Sequence, residues 1–180
     1  MKTKFLVLIL LFTTFFIGCK NDKSVDDLEV VTPKVVESKV KVVLDRIVPQ
    51  DDNFQLFYTE DGTLNFNDEK SVRVAVKGSD KNQSITFDLP EDSAFTFLRL
   101  DLGENNKQAE MKMNNFLVKY FDKKFEAKGN LFFQYFAPNA QLEMNIEKST
   151  VTPITGKEKV YDPIMYPLEP LGVELQKLLK

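Results

Sequence analysis

Apolar and polar residues alternate along most of this chain in short runs. Val40, Val42 and Leu44 are interleaved with Lys39 and Lys41, and Phe54, Leu56 and Tyr58 with Gln55 and Phe57. Val72, Val74 and Val76 alternate with Ser71, Arg73, Ala75 and Lys77, and Ile85, Phe87 and Leu89 with Ser84, Thr86 and Asp88. Leu98, Leu100 and Leu102 flank Arg99 and Asp101, and Leu142, Met144 and Ile146 flank Glu143 and Asn145. Period two predicts half-buried strands, each with one face on a core and one in water. Such strands belong to antiparallel sheets. Turn chemistry separates them at Asp61-Gly62, Gly78-Ser79-Asp80, Leu89-Pro90 and Gly103-Glu104-Asn105-Asn106. The predicted fold is mainly β, an antiparallel β-sandwich of jelly-roll type. No long helical pattern alternates with the strands, so a parallel α/β sheet is excluded.

The pattern slips once in an informative way. Met111 and Met113 share a face with Phe116, Val118 and Tyr120 only if one residue near Asn114-Asn115 is looped out as a β-bulge. The expected core includes Val72, Val74, Val76, Ile85, Phe87, Leu98, Leu100, Val118 and Met144. Two segments leave the β pattern. Asn130 to Phe136 is dense in aromatics, with Phe132 and Tyr135 at helical spacing, which predicts a short aromatic helix. Residues 167–180 place Leu171, Leu175, Leu178 and Leu179 on one face of a short amphipathic helix. That stripe is expected to pack on its own domain, with a partner-binding tail as the alternative.

The first residues read differently. Lys2 and Lys4 precede an uncharged run from Phe5 to Ile17, followed by Gly18 and the chain's single cysteine. This is the build of a secretory signal peptide, too short for a membrane-spanning helix. Gly18-Cys19 resembles the lipobox of bacterial lipoproteins. The resemblance implies cleavage after residue 18, lipid on Cys19, and attachment to a membrane through that lipid. Residues 19–36, with Lys20-Asn21-Asp22-Lys23-Ser24-Val25-Asp26-Asp27, read as a solvated tether, and 37–166 as the sandwich domain. Lys20 after the cysteine resembles the pattern of lipoproteins that are not held in the inner membrane. The acidic residues behind it resemble export tags for the outer face of the outer membrane. The expected location is therefore the cell envelope, at the outer membrane or its surface.

Composition narrows the chemistry. Of 24 basic residues two lie in the signal peptide, leaving an acidic mature chain with 27 Asp and Glu interspersed among the cations. Without a basic stripe, nucleic acid is not an expected partner. There is no histidine, and the only thiol is the one assigned to lipid. Ser-His-Asp and Cys-His catalysis are thereby excluded, as is nearly every zinc or copper site. The protein is expected to be non-catalytic and to need no cofactor. A carboxylate-based glycosidase or lyase is the one enzymatic alternative. The acidic loops, notably Asp61 to Glu69, offer oxygen ligands for a structural calcium, although not at EF-hand spacing.

Phe54-Gln55-Leu56-Phe57-Tyr58-Thr59, Leu98-Arg99-Leu100-Asp101-Leu102-Gly103, Tyr135-Phe136-Ala137-Pro138-Asn139 and Tyr161-Asp162-Pro163 are the most distinctive strings. Through them residues 45–166 resemble the β-sandwich modules that accompany bacterial surface-polysaccharide glycosyltransferases. The resemblance implies a carbohydrate-associated, non-catalytic jelly roll. It departs from sugar-binding modules generally in lacking Trp. Candidate ligand-binding residues are Phe57, Phe121 and Tyr161, as exposed aromatics, and Arg99, which sits two positions from Asp101 on a wet face. Each also has a plain structural reading, as core or rim packing for the rings and as a surface ion pair for Arg99. Two functions stay open: glycan binding, or a structural or adaptor subunit docking to another envelope protein.

Overall fold

The structure, a computed structural model, describes residues 38–156 and 160–180. The signal peptide, Cys19 and the tether over 19–36 lie outside the described residues. Eleven strands follow in chain order among the described residues. They are β1 (Lys41–Val48), β2 (Asp52–Thr59), β3 (Ser71–Val76), β4 (Ser79–Asp88), β5 (Phe97–Asp101) and β6 (Met111–Tyr120). After them come β7 (Lys123–Lys128), β8 (Phe136–Pro138), β9 (Leu142–Asn145), β10 (Thr150–Pro153) and β11 (Ile164–Pro167), then a helix, α1 (Glu169–Leu179). One sheet has the order β4-β1-β6-β10-β9, with β7 also paired to β6, and the other the order β3-β2-β5-β11-β8. Every pairing is antiparallel, and the two sheets pack as a sandwich.

The core is built from the inward members of the alternation, including Val42, Leu44, Phe54, Leu56, Phe87, Leu98, Leu100, Phe116 and Val118. The expected bulge is present. Asp45 faces Asn115 and Arg46 faces Met113, so Asn114 is the extra residue. It keeps Met111, Met113, Phe116 and Val118 together on the buried face. Three residues expected in the core, Val72, Val74 and Met144, are only half-buried and pack at its margin. They lie on β3 and β9, the outer strands of their sheets, where no further strand covers them.

The aromatic segment forms a 3-10 helix over Gly129–Gln134, and Phe132 stacks on Phe136 with ring centroids 4.7 Å apart. In α1, Leu171, Leu175 and Leu178 are buried in the domain's own core. The helix packs against β5 and β7, one strand from each sheet. Gly172 lies so close to Phe97 that a Cβ would come within 2.7 Å of its ring. Three of the four stripe leucines are therefore consumed internally, while Leu179 stays 38% exposed.

Candidate functional site

A strand buries alternate residues, so β2 should show one wet face. It does not. Phe54, Leu56 and Tyr58 point into the core, yet the outward Gln55, Phe57 and Thr59 are buried as well. The loop between β2 and β3 folds back over this face. Asn67 caps a 3-10 turn at Asp68–Lys70 by accepting from the Lys70 amide at 3.1 Å. Asp68 then accepts from the Gln55 amide at 3.3 Å, which ties the loop down over the strand.

Register decides which side chains meet on the covered face. Gln55 stands opposite Arg73 of β3 and Asp101 of β5, and Phe57 opposite Ser71 and Arg99. Arg99 donates to both oxygens of Asp101, at 2.9 and 2.8 Å. Its guanidinium lies 3.9 Å from the centre of the Phe57 ring and 5.4 Å from that of Phe66. Both members of the ion pair are sheltered, at 16% and 14% exposure, unlike an ordinary surface pair. Burial pushes the Asp101 carboxyl up to about 6, and Arg99 offsets only part of that shift. Around this pair opens a groove of about 400 Å³. Asn53, Phe66, Arg73, Glu104, Tyr161 and Asp162 complete its walls.

The groove ends at a second polar cluster centred on Asp52, the first residue of β2. The Asp52 carboxylate accepts from the backbone amides of Glu104 and Asn105 at 2.7 and 3.0 Å, and from the Gln108 side chain at 3.0 Å. It thereby pins the β5–β6 loop to the β1–β2 turn. Gly103, at φ +115°, approaches so closely that any Cβ would overlap this carboxylate. The Tyr161 hydroxyl is buried with no hydrogen-bond partner among the described residues. Burial, with a smaller contribution from the Asp52 charge, pushes it up to about 12, so it is a neutral donor. On the core side lies Arg46, fully buried, 4.8 Å above the Phe54 ring and without a hydrogen-bond partner among the described residues. Burial lowers its guanidinium to about 9, although the Asp52 charge opposes the shift.

Of the four sequence candidates, Phe57, Arg99 and Tyr161 meet in this groove and Phe121 does not. Phe57 is not an exposed platform. It is buried beneath Arg99, because the β2–β3 loop covers the outer face of β2. Phe121 is exposed in the β6–β7 turn, beside the C-terminus of α1. The sequence reading missed Arg46, Asp52, Gln55, Phe66 and Arg73. Phe66 carried a signal, a lone aromatic between asparagines in an acidic loop. Arg46 carried another, since it occupies the inward phase set by Val40, Val42 and Leu44.

The acidic loop spends its carboxylates locally. Asp61 accepts from the Thr63 amide and hydroxyl at 3.0 and 2.9 Å. Among the described residues no three acidic side chains converge to hold a metal ion. No described helix is long and apolar enough to cross a membrane. No family model, curated protein or solved structure matches this chain.

Proposed function

We propose that this is a lipid-anchored, non-catalytic envelope protein that holds a glycan in the groove on its five-stranded sheet. The observation that carries the reading is the Arg99–Asp101 pair, sheltered on the Phe57 ring at the floor of an open, polar groove. Planar guanidinium and carboxylate groups match the spacing of vicinal hydroxyls. Asn53 adds a neutral donor, and the Phe66 and Tyr161 rings add apolar faces for a sugar. The side chains that line the groove include four carboxylates, Asp68, Asp101, Glu104 and Asp162, against two cations, Arg73 and Arg99. That excess of negative charge favours an uncharged or amine-bearing sugar over a uronate or sulfated one. A glycosidase needs a carboxyl free to deliver its proton. Asp101 has the raised pKa of such an acid, but both its oxygens are engaged by Arg99.

Anchoring rests on Gly18-Cys19. Radiolabelled fatty acid fed to expressing cells should label the full chain and not Cys19→Ser, and the serine variant should leave the membrane fraction. Glycan binding is tested by affinity electrophoresis of the full-length protein through gels carrying neutral, amine-bearing or uronate polysaccharides. Without Trp, the expected dissociation constant lies on the order of micromolar to millimolar. Arg99→Ala and Tyr161→Ala should each weaken retardation by at least about tenfold, while Phe121→Ala leaves it unchanged. Retardation that survives both groove substitutions would remove the site.

A further inference from the structure

Along β2 and β3 the outward residues fall into rows: Phe57 beside Ser71, then Gln55 beside Arg73, then Asn53 beside Ala75. Successive rows on one face of a sheet lie roughly 6.6 Å apart. The groove lies over the first two rows and reaches Asn53. Over the third row a second cavity of about 420 Å³ opens, with Asp51, Asn53, Ala75, Lys77, Glu104 and Asn105 around it. Asn53 and Glu104 belong to both.

One ion pair stands at that shared boundary. Arg73 Nη1 donates to Glu104 Oε1 at 2.7 Å, and Asn53 Nδ2 donates to Glu104 Oε2 at 3.4 Å. Arg73 lies on β3 and Glu104 follows β5, with β2 between them, so the pair spans the outer face of β2. Such a partition is weak. Both side chains are 58% exposed, so water screens their attraction, and fixing two long side chains in one geometry opposes it. Arg73 also has a second carboxylate to turn to, because its guanidinium lies 3.9 Å from Asp68. The backbone around the partition is held firmly. Asp52 accepts from the amides of Glu104 and Asn105, and Asp51 accepts from the Lys77 ammonium and the Gly78 amide. Only side chains need to move for the two cavities to join.

We propose that the two cavities are one cleft, and that an oligosaccharide lying along β2 displaces the Arg73–Glu104 contact and fills both. The proposal rests on the reading of the groove as a glycan site and adds the ligand's length and direction: several sugar rings in a row, running from Phe66 towards Lys77. Each cavity alone lies near the lower bound of small-ligand sites, about 300–1,000 Å³, and the joined cleft falls well inside that range. The released Glu104 carboxylate and Asn53 amide offer an acceptor and a donor to sugar hydroxyls midway along the chain. The second cavity continues the charge of the first, with Asp51, Asp52 and Glu104 against Lys77. The class of sugar, uncharged or amine-bearing, is therefore the same along the whole cleft.

The test titrates the full-length protein, held in a zwitterionic detergent, with glucosamine oligomers and separately with glucose oligomers. Each series runs from the monosaccharide to the hexasaccharide, and binding is read by isothermal calorimetry. Short oligomers bind in the groove alone. Affinity should climb by at least about tenfold once the chain is long enough to cross the Arg73–Glu104 contact. Ala75→Phe fills the second cavity from an exposed position on β3, where an aromatic side chain suits a strand. It should leave the short oligomers unchanged and remove the gain with length. Glu104→Gln breaks the ion pair and keeps the side chain's shape. In the uncharged glucose series it should strengthen the long oligomers by a few-fold, the strength of an exposed pair, and leave the short ones alone. Short oligomers bound with no gain on lengthening overturn the single cleft while leaving the groove intact, and so does a gain that survives Ala75→Phe. A Glu104→Gln protein that binds long glucose oligomers no more tightly overturns the partition. No binding to any member of either series overturns the cleft and the groove reading together.

Discussion

The two sheets solve the same problem differently. In the six-stranded sheet, β1 alternates buried and half-buried positions along its whole length, and its outer face carries Lys41, Asp45 and their cross-strand neighbours Asp88, Ser84, Lys119 and Asn115. In the five-stranded sheet, β2 buries nearly every residue on both faces. Its outer face is roofed by the β2–β3 loop and bordered by residues 160–162. Water screens charges on the first face, so they set solubility and little else. Partial shelter on the second face strengthens each charged contact and raises the cost of leaving one unpaired. A polar groove that is neither fully wet nor fully dry is where a ligand gains most from replacing water.

The largest effects should come from two buried polar residues, Asp52 at the start of β2 and Arg46, which β1 points into the core against Phe54. Asp52→Ala removes the acceptor that pins the β5–β6 loop and leaves Arg46 charged in the core. It should destabilise by about 3–5 kcal/mol in urea titration. Arg46→Met should be neutral, or stabilising by up to about 4 kcal/mol, because a buried guanidinium with no hydrogen bond among the described residues is replaced by an apolar side chain. A destabilised Arg46→Met would mean that the buried charge organises the fold.

Cavity substitutions separate the sheets more directly. Phe87, fully buried in β4, should cost about 3–5 kcal/mol when cut to Ala. Phe57→Ala should cost nearer about 2 kcal/mol, because Arg99 and the roofing loop can settle into the space, yet it should abolish groove binding. Equal destabilisation with binding retained would make Phe57 ordinary core.

Charge substitutions should differ by face. Arg99→Ala leaves Asp101 sheltered without its partner and should cost about 2–3 kcal/mol. Lys119→Ala, exposed on the first sheet, should stay within about 0.5 kcal/mol. Matching values would erase the distinction between the faces.

A pH dependence sharpens the same contrast. Asp101 is raised from 3.8 to about 6, so the folded state binds its proton more tightly than the unfolded chain does. Its contribution to stability is fully present below about pH 4 and is lost as pH rises through 6. Asp51 and Asp61 are shifted the other way by hydrogen bonds, and their contribution is lost as pH falls below 3.8. Asp101→Asn should flatten the slope between pH 4 and 6 measured by thermal melts. A slope that persists belongs to other groups.

The alternation of Val42 with Lys41, or of Phe87 with Asp88, was legible because a strand's two faces are set by neighbours one residue apart. The bulge at Asn114 was legible for the same reason, since a phase slip is local. The apolar stripe of α1 was legible too, as helical spacing within a dozen residues. The same local rule placed Phe57 and Arg99 on an outward face but could not say that the face would be roofed. That depended on Asn67 and Asp68 folding back to Gln55, and on Tyr161 arriving from a hundred residues further along. Arg46 shows the limit most sharply. Its phase pointed inward, yet its charge argued for water, and only packing beside Phe54 and Asp52 decided between them. The sequence by itself therefore determined the strands, their inward faces and the cysteine motif, all set by residues close along the chain. Tertiary structure alone decided which outward residues gather into a groove and which, like Phe121, are left at the end of the sandwich, because that depends on where distant loops close over a sheet.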